Sequence, residues 1–151
     1  MTEHDENPGR IASMLEANIR KLRGIRIFRD AFSEMCHQDY TLYYNKFGNA
    51  DDKYKFLQDA LSSDQEMLIR FALFTLQSSM YVKDHTLTDY IVNVAFNGSN
   101  SKIIRMATMT LALKYQGTMN RQIMKMLYDI SIKHHDVAQT CDDARTFVAN
   151  H

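Results

Sequence analysis

The stretch Leu68-Ile69-Arg70-Phe71-Ala72-Leu73-Phe74-Thr75-Leu76 returns downstream as Ile103-Ile104-Arg105-Met106-Ala107-Thr108-Met109-Thr110-Leu111. The displacement is constant: 69 to 104, 70 to 105, 72 to 107 and 76 to 111, each 35 residues. Between 61 and 76, five residues are identical to their partners (Ile69, Arg70, Ala72, Thr75 and Leu76), where composition alone gives about one. The match extends upstream, pairing Phe56 with Ile91, Leu57 with Val92, Ala60 with Ala95 and Leu61 with Phe96. A period in the mid-thirties is the length of one helix–turn–helix unit, which buries its apolar face only by stacking on another.

The residue types agree. Apolar side chains at 68, 69, 72, 73 and 76 lie on one helical stripe. A small alanine within it, at 72 and again at 107, lets a neighbouring helix approach closely. An arginine at 70 and 105 can place a planar, permanently charged fork where adjacent units meet; Asp64 or Asp59 is the expected partner. A weaker copy lies upstream in Ile27-Phe28-Arg29-Asp30-Ala31 through Met35. A degraded one closes the chain, with Ala144 and Val148 in the places of Ala107 and Leu111 and Asp142 in place of the arginine. End units of a stack are often atypical.

The segment Asp64-Gln65-Glu66-Met67-Leu68-Ile69-Arg70-Phe71-Ala72 resembles the second helix of a HEAT or armadillo-type repeat: an Asp at the turn, an aliphatic–Arg pair, then Ala and Leu. The resemblance covers residues 53 to 133 and the ends poorly. It departs from the pattern where Ser99 and Asn100 replace the usual Asp. It implies an all-α fold of stacked antiparallel helical hairpins, a HEAT-like α-solenoid of about four hairpins. It also implies a scaffold that binds other macromolecules.

Single proline and glycine residues punctuate the chain. Pro8 begins a helix carrying Ile11, Leu15, Ile19 and Leu22, and a second runs from about 25 to 35. Asp51 or Asp52 caps a helix ending near Leu61, and Ser62-Ser63-Asp64 turns the chain and caps the next. Thr86 or Thr88 caps a helix with Leu87, Tyr90, Ile91, Val94 and Ala95 inward. Asn97-Gly98-Ser99-Asn100 is a turn, Ser101 to Tyr115 a helix, and Thr118 opens another holding Ile123, Met126, Leu127 and Ile130. His134-His135-Asp136 forms the last corner before a helix to about Asn150. Residues 1–7 are expected to be disordered and 8–151 to form one domain.

Lys and Arg number 18, as do Asp and Glu, so the formal net charge is zero and no bulk attraction to polyanions follows. Two cysteines are too few for a disulfide framework, and the polar, acidic start is unlike a secretory signal; a cytoplasmic setting is expected. Arg20, Lys21, Arg23 and Arg26 form the basic patch, which reads either as a solvated helix face or as a site for an acidic protein surface or phosphates. Tyr43 and Tyr44, in the aromatic stretch from Tyr40 to Phe47, read as core filler or as binding anchors. The ten methionines read as flexible core filler or as an adaptable surface. Cys36, His37, His134, His135 and Cys141 lack metal-ligand spacing, and no catalytic motif is present; no cofactor and no metal are expected.

The functional expectation is a non-catalytic adaptor or regulatory module. It would bind a protein through the groove of a helical repeat or through Arg20, Lys21, Arg23, Arg26, Tyr43 and Tyr44. The alternative is a nucleic-acid-associated accessory protein using residues 20–29. A third class, a small helical enzyme, would need a pocket with converging polar groups.

Overall fold

In the computed structural model the described residues are 37–77, 85–115 and 120–150. They form seven α-helices and no strand: α1 (His37–Gly48), α2 (Lys53–Leu61), α3 (Glu66–Leu76), α4 (Thr88–Asn97), α5 (Ser101–Tyr115), α6 (Asn120–Lys133) and α7 (Ala138–Asn150), with a 3-10 turn at His135–Val137 before α7. The fold is all-α, as expected. The expected helices over 8–35 lie outside the described residues.

The helices pair in chain order. α2 packs on α3, α4 on α5, and α6 on α7. Each pair then meets the next through like limbs: α2 touches α4 and α4 touches α6, while α3 touches α5 and α5 touches α7. α1 lies against α2 and α3. One continuous apolar core runs from Phe47 to Val148.

The start of each pair follows from local chemistry. Lys53 closes the turn before α2 by donating from Nζ to the carbonyls of Gly48 (2.7 Å) and Ala50 (2.8 Å). Asp52 then caps α2, accepting from the Lys55 amide at 3.0 Å. α5 starts on Asn100, whose Oδ1 accepts from the Ile103 amide at 3.0 Å; the asparagine does the work of the usual aspartate. Two expected caps are corrected. α3 starts from Gln65 and α4 from Leu87, neither with a side-chain cap. Asp64 is exposed, and the hydroxyl of Ser63 receives the Gln65 amide instead.

Burial shows the repeat and refines it. In the second limbs the 35-residue register holds: Ala72 and Ala107 are fully buried, and Thr75 and Thr110 each bend back to the carbonyl four residues earlier, Phe71 and Met106, both at 2.8 Å. In the first limbs the register is 34. Leu57, Ala60 and Leu61 are the buried face of α2, and Ile91, Val94 and Ala95 are that of α4. The alignment of Leu57 with Val92 and Ala60 with Ala95 is therefore off by one. The cause is one extra residue between the limbs: eight positions separate Leu61 from Ile69 and nine separate Ala95 from Ile104. The third pair continues the pattern, with Ile123, Leu127 and Ile130 buried in α6 and Ala144 and Val148 in α7.

Candidate interaction surface

Polar bonds tie each pair to the next near the turns and along the second limbs. Glu66, in the first turn of α3, accepts from Asn100 Nδ2 at 2.6 Å and pairs with Arg70 Nη2 at 2.8 Å. Arg70 is buried, and its carboxylate partner lies one turn back on its own helix; Asp59, a partner expected from sequence, is engaged with Lys55 at the surface. Asp64, the other expected partner, precedes the helix. One repeat on, Arg105 donates from Nη2 to the carbonyl of Asp136 at 2.8 Å, and Ser101 donates to the Asp136 carboxylate. Arg70 and Arg105 thus share a place, the fifth residue of a second limb: Arg105 bonds the next turn directly and Arg70 bonds Glu66, which Asn100 of the next turn also bonds, although Arg105 is only half-buried. Lys133 bonds Asn97 Oδ1 at 2.7 Å, and His134 Nε2 donates to the carbonyl of Phe96 at 2.6 Å. The carboxyl of Asp136 is held below the ordinary carboxylate range, first by the Ser101 hydroxyl, then by its own backbone amide and the charge of Arg105.

The second limbs are enclosed. Every residue of 69–77 in α3 and its C-terminal cap is buried, as is every residue of 106–114 in α5. A helix that lines an open groove leaves one stripe to solvent; over these spans there is none. Met106 and Met109 lie in this enclosed stretch, and Met124 and Met126 are half-buried against the core.

Arg20, Lys21, Arg23 and Arg26 lie outside the described residues. Tyr43 and Tyr44 are half-buried and packed on the core, with the Tyr43 ring 5.9 Å from Phe71. Phe47, Phe56 and Phe71 form a mutually edge-on cluster beside them. Cys141 is fully buried, and desolvation, followed by the neighbouring Asp142, pushes its thiol up to about 11. Among the described residues no three His, Cys, Asp or Glu side chains are grouped to hold a metal ion, and no helix is long and apolar enough to cross a membrane.

One surface feature was missed from sequence. On α6, Ile123, Leu127 and Ile130 face inward, while Arg121, Lys125, Tyr128 and Ile132 are exposed. The latter recur at i, i+4, i+7 and i+11, a second stripe opposite the core face. Tyr128 and Ile132 are 52% and 54% exposed, one turn apart. The Arg145 guanidinium of α7 sits 5.9 Å from the Tyr128 ring. The spacing was legible in the sequence; only the burial of the opposite face marks it as a separate stripe. Comparisons with protein-family models, curated proteins and solved structures find no match to this chain.

Proposed function

We propose that the chain is a short HEAT-like stack acting as a non-catalytic protein-binding module, an adaptor or regulatory subunit. The observation that carries this reading is the recurrence of one helical pair, at offsets of 34 to 35 residues from the first to the second and 37 from Ala107 to Ala144, with Asn100 and Asp136 each joined to the preceding pair's second limb. Stacks of this kind grow by nearest-neighbour contacts and offer extended surface rather than a closed cavity. The enclosure of 69–77 and 106–114 directs a partner to the outer faces or to the basic segment at Arg20, Lys21, Arg23 and Arg26.

The test is affinity capture with the full chain from its native cell, followed by reconstitution with the purified captured protein. Saturable binding that survives nuclease treatment and moderate salt is expected. Binding only to DNA or RNA, falling steeply with added salt, would replace this reading with the nucleic-acid alternative through residues 20–29. Substituting Arg20, Arg23 and Arg26 by Glu then decides whether the basic segment takes part.

A further inference from the structure

From the outer stripe of α6 we infer a docking site for an acidic amphipathic helix of a partner protein. The inference rests on the reading of the chain as a protein-binding module and names the surface and the partner class. Four large apolar residues are exposed among those described, Leu42, Tyr54, Tyr128 and Ile132, and only the last two share a stripe. That stripe is polar in its own direction. Its N-terminal half is cationic, Arg121 and Lys125, and its C-terminal half apolar, Tyr128 and Ile132, over a span of about 16 Å.

This order selects the occupant. A second copy of α6 laid parallel would oppose like charges, and laid antiparallel would give neither Arg121 nor Lys125 a carboxylate from the stripe. A polyanion would leave the apolar half, Tyr128 and Ile132, uncovered. A helix with two carboxylates one to two turns from two apolar side chains satisfies both halves. Lys125 is available for the exchange, because its bond to Asp129 at 2.9 Å is an exposed i,i+4 pair, and such pairs hold weakly. Arg145, paired with Asp142 at 3.5 Å, sits over the Tyr128 ring beside this stripe.

The probe is a synthetic helical peptide of about four turns with Leu at i and i+4 and Glu at i+8 and i+11, or the reverse order. It is titrated against the full chain, with a matched peptide carrying Lys in place of Glu. The Glu peptide is expected to bind, and Tyr128→Ala with Ile132→Ala to weaken it by about tenfold or more. Arg121→Glu with Lys125→Glu should reverse the preference toward the Lys peptide. All four positions are exposed, so unchanged thermal unfolding checks that the variants fold. No binding by the wild type, binding indifferent to these substitutions, or a stripe-dependent preference for anionic vesicles or RNA over the peptide overturns the assignment. The module reading falls separately, if the full chain binds no protein at all; a captured partner insensitive to the α6 variants sinks only the stripe.

Discussion

Gln77 at the end of α3 donates from Nε2 to the hydroxyl of Thr110 on α5, 2.9 Å away, with both side chains buried. Thr110 is the repeat partner of Thr75, but only Thr110 receives this bond from the neighbouring pair. Thr110→Val removes a buried acceptor and should cost about 1–3 kcal/mol. Thr75→Val loses a hydroxyl bonded to the Phe71 carbonyl on its own helix, and should cost less than about 1 kcal/mol. Urea denaturation of the two variants measures the difference; equal losses would mean the bond to Gln77 contributes nothing.

Ala72 and Ala107 have no accessible surface and occupy equivalent places in α3 and α5. Phe at either position overpacks a close helix contact and should cost about 1–3 kcal/mol or more. An unchanged melting temperature in both variants would show that these alanines face no neighbour.

Gly98 ends α4 under close constraint. A Cβ there would lie 2.6 Å from the Val94 carbonyl oxygen and 3.0 Å from Ile104 Cγ1, whereas one on Gly48 would meet nothing within 4 Å. Gly98→Ala should therefore destabilise by about 1–3 kcal/mol, and Gly48→Ala should lie within about 0.5 kcal/mol of wild type. Equal stabilities would contradict the tight crossing of chain at the 97–100 turn.

Asp136 links the second and third pairs, and its carboxyl titrates below its ordinary value chiefly because Ser101 bonds the charged form. A depressed folded pKa adds stability above the unfolded value, about pH 4, and that share is lost as the pH falls through the folded value. Ser101→Ala should flatten the acid limb of a stability-against-pH curve below about pH 4 and leave its slope near neutrality unaltered. An identical acid limb in the variant would show that the bond does not perturb Asp136.

Cys141 has no exposed surface and its thiol titrates at about 11. Few molecules carry the reactive thiolate at pH 8, and none presents it to solvent. Labelling of Cys141 by a thiol reagent should follow the unfolding equilibrium and speed up with denaturant. Fast labelling in native buffer would contradict its burial in α7.

The helical pairs were legible because their signals are local. The 35-residue echo set the second limbs, the apolar spacing set the inward faces of α4 and α6, and Asp52 and the 97–100 turn fell where short-range chemistry placed them. What was hidden is non-local. The bond from His134 to Phe96 spans 38 residues, and nothing near either residue announces it. The one-residue insertion was masked by the chance identity of Ala60 and Ala95, both buried; only the set of buried positions on each helix matches Ala60 to Val94 and Leu61 to Ala95. Arg70 took Glu66 rather than an aspartate because position 66 begins the helix and sits one turn back on the arginine's own face, whereas Asp64 precedes it. The α6 stripe was overlooked because Tyr128 and Ile132 carry no motif of their own; burial of Ile123, Leu127 and Ile130 on the inward face is what sets them apart as exposed.

The side-by-side packing of equivalent pairs is tested most directly by through-space proton contacts in solution on the full chain. Cross-peaks are predicted from the Gln77 side-chain amide to the Thr110 methyl, from the Asn100 side-chain amide to Glu66, and from the His134 ring to Phe96. If the helices form but these three pairs give no cross-peaks, the pairs are not stacked in this register, and the module built on that stack is wrong.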